Sequence, residues 1–365
     1  LPRFLHTADW QIGRQYGSLH PDNAVPLAEA RFAVVERLAR LATEQQVDAV
    51  LVAGDVFDAQ TVSDRTIRRL FNALAGFAGP WILIPGNHDA ALAESVWTRA
   101  LRLGAVPGNA HLALEPGVLS FPELGFAALS APLTQRHTYA DLTAWFDAAQ
   151  TPPGLLRIGL AHGSVQGVLA EDIDSANPIA PDRAERARLD YLALGDWHGC
   201  KCINPRTWYS GTPEPDRFKA NDAGLALLVE LAGEGAEPQV TPVATGQFRW
   251  QQLAATLQVG TDLDELLARL AALGAGDVVD LQLQGQIDLA GQQRLQAAIG
   301  RAEAQARHLS VDLGQLRLHP TDEDIASLQA DGYLGELIAE LRQARSGEQA
   351  QLAQDALAIL TAALS

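Results

Sequence analysis

The sequence predicts an α/β fold, and three observations lead there. Across residues 1–230, short apolar runs alternate with helical stretches. Several of those runs lack polar alternation, as strands covered on both faces do. Polar residues then gather directly after the runs, at Asp9, Asp55, Asn87, His162, Asp196 and His198. In α/β sheets, the loops at the carboxyl ends of strands form the ligand crevice.

Taken in order, the expected strands are RFLHTAD, DAVLVAGD, PWILIPGN, LRIGLAHG, YLALGD and GLALLVEL. Between the first two lies PLAEARFAVVERLARLATEQQ, whose Phe32, Val35, Leu38 and Leu41 recur at helical spacing. Residues 230–246 are rich in Gly, Pro and Ala and read as a turn plus an edge strand. A small α+β module follows over residues 247–319. Its strands are FRWQQLAATL, DVVDLQLQGQI and HLSVDLGQLRL, and its helices are DLDELLARLAAL and 290–307. The tail, 320–365, reads as two amphipathic helices separated by SGE. One carries Leu334, Leu337, Ile338 and Leu341, and the other Leu352, Leu357, Leu360 and Leu364. The same apolar stripes suit packing on the chain's own domain or docking on a partner helix. The expected domains are therefore 1–246, 247–319 and 320–365.

Hydrophobic residues make up 47% and charged residues 19% of the chain, a globular rather than disordered balance. No apolar run reaches the roughly 18 residues a membrane span needs, so no membrane is expected. The opening segment lacks the basic-then-apolar layout of a secretory leader. Cys200 and Cys202 are the only cysteines. As near neighbours on one strand they point to opposite faces, so two free thiols in a reducing cytoplasm are expected. The net charge of −17 should repel nucleic acid over most of the surface. A nucleic-acid reading therefore needs a local positive region, bound metal or a partner.

The chemistry lies in five short strings. HTADWQIG supplies Asp9 and Gln11, VAGDVFD supplies Asp55 and Asp58, and IPGNHD supplies Asn87, His88 and Asp89. LAHGSVQG supplies His162, and LGDWHG supplies Asp196 and His198. Oxygen donors with some imidazole suit Mn²⁺ or Fe better than thiolate-seeking metals. A central carboxylate, best supplied by Asp55, can bridge two ions that polarise a phosphate and acidify a water. Gly54, Gly86 and Gly195 are expected to let the chain turn sharply at strand ends.

These strings resemble the calcineurin-like metallophosphoesterases. LHTADWQIG, LVAGDVFD, LIPGNHD and YSGTPEPDRF look like that family's DNA-repair nuclease branch, the SbcD-type subunits of SbcC–SbcD complexes. The resemblance covers residues 1–230, and more weakly the 247–319 module, which is placed like the family's capping domain. It implies a four-layer α-β-β-α sandwich and phosphodiester hydrolysis of DNA by exonuclease or endonuclease action. It also implies two divalent ions, usually Mn²⁺ with Mg²⁺ or Fe as alternatives, an SMC-like coiled-coil ATPase of SbcC type held by the helical tail, and a homodimer.

Carried over to this chain, the resemblance gives the first ion Asp9, Gln11, Asp55 and His198, and the second Asp55, Asn87, His162 and Asp196. His88 would act on the leaving-group side, oriented by Asp58. The resemblance makes the loop of Tyr209 and Arg217 a wall of the site, where both would touch substrate; Arg14 is a candidate phosphate contact from its place in a strand-end loop. Two positions depart from the family pattern: Gln11 and Asp196 stand where histidine is usual. Gln is a weak neutral ligand and Asp a hard charged one, so the site should favour Mn²⁺ or Mg²⁺ over zinc.

Two alternatives stand beside the nuclease. One is a metallophosphoesterase for a small phosphoester or cyclic nucleotide, which the acidic charge favours. The other is a catalytically weakened scaffold that recruits the ATPase. Arg65, Arg68, Arg69, Arg99 and Arg102 either hold phosphates or line a solvated helix face. His6 is expected to be a satisfied core residue. Trp10 and Trp197 either pack or stack on a nucleobase.

Overall fold

The computed structural model describes residues 2–168, 177–327, 332–346 and 349–364. The chain packs as two compact units. The first holds the residues up to Asp216 together with Ala220–Phe248; the second holds Arg217–Lys219 and the chain from Arg249 onward.

The first unit is built on two six-stranded sheets. Its strands are β1 (Arg3–Thr7), β2 (Ala49–Ala53), β3 (Trp81–Ile84), β4 (Ala110–Leu112), β5 (Gly117–Phe121), β6 (Phe126–Ala131) and β7 (Leu156–His162). They continue with β8 (Ser164–Val165), β9 (Pro178–Ile179), β10 (Tyr191–Gly195), β11 (Lys201–Asn204), β12 (Thr207–Tyr209), β13 (Leu225–Glu230) and β14 (Gln239–Ala244). One sheet runs β14-β13-β1-β2-β3-β4, and the other β11-β12-β10-β7-β6-β5. Within them β1 to β4 are mutually parallel, as are β6, β7, β10 and β12. The residues after β1, β2 and β3, and those after β7 and β10, therefore leave their sheets at the carboxyl ends.

Side-chain alternation explains why the strands show no polar face. On β1, Phe4 enters the core between the sheets while Leu5 faces the helices. On β2, Leu51 points between the sheets and Val50 and Val52 point outward; on β3, Ile82 and Ile84 point in, with Trp81 and Leu83 out. Phe4 meets Phe126 of the opposite sheet edge-on, centroids 4.9 Å apart. The outward face of the first sheet is covered by α1 (Pro21–Glu44), α2 (Asp64–Ala73) and α3 (Val96–Arg102). The outward face of the second packs Leu129, Leu192 and Leu194 with Phe146 and with Ala184 of the short α4 (Arg183–Arg186). Helix, sheet, sheet, helix is the four-layer order expected.

Local chemistry sets the helix ends. Ser63 caps α2 by accepting the Thr66 N–H at 3.1 Å, and Ser95 and Thr98 form a reciprocal box at the start of α3. Helix α1 begins earlier than its periodicity indicates, because the His20 side chain accepts the Asp22 N–H and Pro21 fits the first turn.

In the second unit, β15 (Arg249–Leu257), α5 (Gly260–Ala271), β16 (Asp277–Ile287), α6 (Leu289–Gln305) and β17 (His308–Leu318) alternate. The three strands form a sheet that is parallel throughout. This corrects the α+β expectation for the module, because strict β-α-β alternation requires crossover helices and gives an α/β unit. Leu266, Leu270, Leu281, Leu283 and Leu295 fill its core. Helices α7 (Asp322–Ser327), α8 (Tyr333–Ala344) and α9 (Ala350–Leu364) follow, sharing a small cluster of Ile325, Ile338 and Leu357. Leu341 and Leu360 pack against it, while Leu352 stays exposed. The break assigned to SGE and the side chain of Leu364 lie partly outside the described residues. Both cysteines are free thiols. No described helix is long and apolar enough to cross a membrane.

Candidate metal centre

The strand ends that carry the expected ligands have unusual backbones. Asp9, Gln11, Asp55 and Asp196 have φ of 54°, 52°, 51° and 102°. Residues with side chains rarely enter that region, and such strain collects at functional sites. The loops after β1 and β2 hold each other there. Asp9 N–H donates to Gly54 O, Gln11 N–H to Asp55 O and Ile12 N–H to Val56 O, at 3.0, 3.0 and 2.9 Å.

These backbones bring the side chains together. Asp9, Asp55 and His162 are buried, and each offers one ligand atom within 4.8 Å of the others. Asp55 Oδ1 lies 3.6 Å from His162 Nε2, and Asp196 Oδ1 lies 3.7 Å from the same nitrogen. Asn87 Oδ1 is 2.9 Å from it. Gln11 Nε2 donates to Asp55 Oδ2 at 2.8 Å. The Asp196 N–H donates to Asp9 Oδ1 at 3.1 Å. His162 Nδ1 sits 2.8 Å from the Ala53 carbonyl, which can only accept. That bond places the proton on Nδ1 and aims Nε2 at the carboxylates.

The charge balance is that of a cation site. Burial pushes the Asp9 carboxyl up to about 6; His198 and His162 oppose the rise, and Asp55 and Asp196 add to it. Burial likewise raises Asp196. Burial lowers His162, but Asp55, Asp9 and Asp196 outweigh it and bring the imidazole to about 9. A second sign is Gln11, fully buried, whose Oε1 has no hydrogen-bond partner among the described residues. An orphaned carbonyl oxygen beside crowded carboxylates is costly unless a cation takes its lone pairs. The donor set, oxygens with imidazole and no thiolate, fits a hard divalent ion.

Other expectations are corrected. His88 Nδ1 is held by the main-chain carbonyl of Asp58, at 2.8 Å, rather than by its carboxylate. The Asp58 carboxylate faces Arg14 Nη1 at 3.7 Å instead. The same Arg14 nitrogen reaches Asp216 at 3.3 Å, so Arg14 is shared between two carboxylates. Tyr209 is fully buried and cannot touch substrate. Its hydroxyl donates to Gly163 O at 2.7 Å and accepts the Val165 N–H at 2.9 Å, fixing the loop after His162. Arg217 belongs to the second compact unit.

Of the arginines read as holding phosphates or lining a solvated helix face, three are paired with carboxylates: Arg69 with Glu29, Arg99 with Asp64 and Arg102 with Glu94. Trp10 is core, its Nε1 donating to Thr7. His6 is a satisfied core residue, bonded to Tyr191 and Leu194, and burial lowers it to about 3. Gly54 has the positive φ of a turn, 92°, whereas Gly86 and Gly195 do not. Those two serve close approach instead. A Cβ on Gly195 would lie 2.0 Å from Ala53 O.

Two residues of the strings quoted above take roles that the sequence does not assign. Asp89 is fully buried and accepts from the N–H groups of Val56, Phe57 and Gly86 at 2.9, 3.0 and 2.7 Å. It thereby ties the second and third ligand loops together. Asp216 Oδ2 lies 3.3 Å from His198 Nδ1, so Nε2 is the ring nitrogen that a metal would take. Its string, GTPEPDRF, reads as a Pro-rich turn.

The chain is similar to known proteins. A family profile described as calcineurin-like phosphoesterase matches residues 2–229. The chain is 31% identical to the SbcD subunit of the nuclease SbcCD from Rhodobacter capsulatus, over 75% of this chain and 76% of that one. It is 27% identical to the DNA double-strand break repair protein Mre11 of Methanosarcina acetivorans, over 67% of this chain and 39% of that one. A third relative, the uncharacterized metallophosphoesterase YhaO of Bacillus subtilis, is 27% identical over 63% of this chain and 58% of that one.

Proposed function

The chain belongs to the calcineurin-like phosphoesterase family, and from that premise we propose that it is a metal-dependent DNA phosphodiesterase of DNA repair, working with an SMC-like ATPase. The observation that carries this reading is the convergence of Asp9, Asp55, Asn87, His162 and Asp196 around one point. Two divalent ions, Mn²⁺ first, held by Asp9, Gln11, Asp55 and His198 and by Asp55, Asn87, His162 and Asp196, would supply phosphate polarisation and an acidified water.

The chain's own residues do the rest. The Asp58 carbonyl holds the proton on His88 Nδ1, so Nε2, 3.9 Å from Asp55 Oδ2, is the nitrogen that takes up the ring's second proton and, from the imidazolium, can hand it to a leaving oxygen. The backbone of the same residue is anchored by its N–H on Asp55 Oδ1 at 2.9 Å. His88→Ala should therefore lower the single-turnover rate on an oligonucleotide roughly 100-fold. Its Mn²⁺ affinity by calorimetry should stay within about 2-fold of wild type, well below the effect of losing even a group that orients a ligand. Equal rates would remove His88 from the chemistry.

Asp216 orients His198 in this scheme. Asp216→Asn should weaken Mn²⁺ binding on the order of 10-fold. Unchanged affinity would leave Asp216 with packing alone.

The DNA substrate is supported by relatives named as a nuclease subunit and a DNA double-strand break repair protein. The ATPase and a second copy of the chain belong to the same proposal, supported by a relative that is by its name one subunit of a larger nuclease. The net charge of −17 and the paired arginines favour a second reading, a small phosphoester substrate. Mn²⁺-dependent cleavage of linear DNA against a small chromogenic phosphodiester separates the two. Turnover of the small ester alone would overturn the nuclease.

A further inference from the structure

A polyanion handled by this acidic chain needs a cation at the centre, and most of the arginines nearby are engaged. Arg14 faces Asp58 and Asp216, Arg69 faces Glu29, Arg99 faces Asp64 and Arg102 faces Glu94. Lys201 rests over the Trp197 ring at 5.6 Å. Arg136 differs. Among the described residues its guanidinium makes no ion pair or hydrogen bond, while its main chain is fixed: its carbonyl accepts from Asn177 Nδ2 at 3.2 Å. Asn177 is in turn bound into the loop after β7, where its carbonyl accepts the Ser164 N–H at 2.9 Å. The arginine is thus placed by the loop that follows the ligand His162.

Arg136 lines a cavity of about 400 Å³ beside the metal centre. Asn87, His88 and Asp58 form its wall toward the centre, and Ala90 and Leu92 supply apolar surface. Leu92 is 41% exposed, so its apolar side chain is open to an incoming ligand. The volume falls in the range of about 300–1,000 Å³ seen for small-molecule sites, enough for one nucleotide and too little for a duplex. A planar guanidinium suits a phosphate bidentately. An apolar lip suits a sugar or base edge.

We propose that the cavity bounded by His88, Leu92 and Arg136 is a single-nucleotide subsite on the leaving-group side of the scissile phosphate. Arg136 holds the next phosphate and Leu92 carries the sugar or base. The proposal rests on the nuclease reading above. It implies that the strand enters this part of the site unpaired, one nucleotide at a time.

The test uses the whole chain and two probes. Thymidine 5′-monophosphate is titrated calorimetrically in EDTA, and a short single-stranded oligonucleotide is cleaved with Mn²⁺. Arg136→Ala should weaken nucleotide binding about 10-fold and raise the KM for the oligonucleotide by a similar factor, a step of about 1.4 kcal/mol. Arg136→Lys should recover part of both, since it restores the charge without the fork. The side chain is exposed, so the fold is not at stake. Wild-type nucleotide affinity and KM in Arg136→Ala would overturn the subsite. A wild-type protein that hydrolyses only the small ester, yet binds the nucleotide in an Arg136-dependent way, would overturn the nuclease reading and uphold the subsite.

Discussion

Asp55→Asn is expected to abolish hydrolysis while leaving the metal-free protein at least as stable as wild type. Asp55 is 2% exposed and reaches the loops that carry Gln11, His88 and His162. Its Oδ1 accepts the His88 N–H and faces His162, and its Oδ2 accepts from Gln11 and faces His88. In the proposed two-ion site the change would remove the shared carboxylate, and turnover should then fall on the order of 10³-fold or more. Stability should behave differently. Burial, with Asp55 and Asp196 adding to it, already pushes Asp9 up to about 6, so one carboxylate fewer relieves repulsion in the metal-free state and offsets the lost attraction between Asp55 and the His162 imidazole. The new amide fits the left-handed backbone, which asparagine tolerates. It also supplies a donor for Gln11 Oε1, the oxygen without a partner in the wild type, once the Gln11 amide rotates.

Two thermal melts per protein check this, one in EDTA and one with Mn²⁺. A ligand at 100 times its Kd adds about 2.7 kcal/mol to the folded state. Wild type should gain a shift of that kind and Asp55→Asn should gain almost none. A variant that keeps wild-type turnover, or an equal Mn²⁺ shift, removes Asp55 from the centre.

How much of this can be read from residues alone follows from what each signal depends on. β1, β2, β3, β7, β10 and β13 are apolar runs ending at Gly or a polar residue, and burial on both faces writes that pattern directly into the sequence. β5 and β6 escape it. They lie in GVLSFPELGFAALSA, where Pro122 and the left-handed Gly125 break the run and small residues blur it. The parallel order of β15, β16 and β17 is implied by the strand-helix alternation, but their register depends on pairing between distant segments, which composition does not encode.

In the site, side chains at strand ends announce themselves. Functions carried by the backbone do not, because every residue has a carbonyl and nothing marks that of Asp58 as the one His88 meets. Tyr209 misleads for a related reason. A polar tip near ligands in sequence turns inward to satisfy Gly163 and Val165. Asp216 is hidden because the residue it orients lies in another loop.

Gly86→Ala should disable the centre through space rather than through backbone conformation. The φ of Gly86 lies outside the left-handed region, so alanine could adopt its backbone. In an open position the change would even stabilise by about 0.4–1 kcal/mol through the unfolded chain. Here the added Cβ would lie 2.2 Å from Asp55 Oδ1, 2.5 Å from Asp55 N and 2.8 Å from His162 Cε1. The Asp55 backbone has little room to yield, because its carbonyl takes the Gln11 N–H and its carboxylate takes the His88 N–H. Overpacking of this kind costs about 1–3 kcal/mol. A displacement near 1 Å at a reacting centre costs on the order of 100-fold in rate. Both should appear together: a lower melting temperature in EDTA, and weakened Mn²⁺ binding with at least that loss of DNA cleavage. Gly108→Ala, where a Cβ meets nothing within 4 Å, is the control and should be neutral or slightly stabilising. If Gly86→Ala instead keeps wild-type metal affinity and turnover, the strand-end loops are looser than these contacts require, and the tight seating of Asp55 against His162 is not what assembles the site.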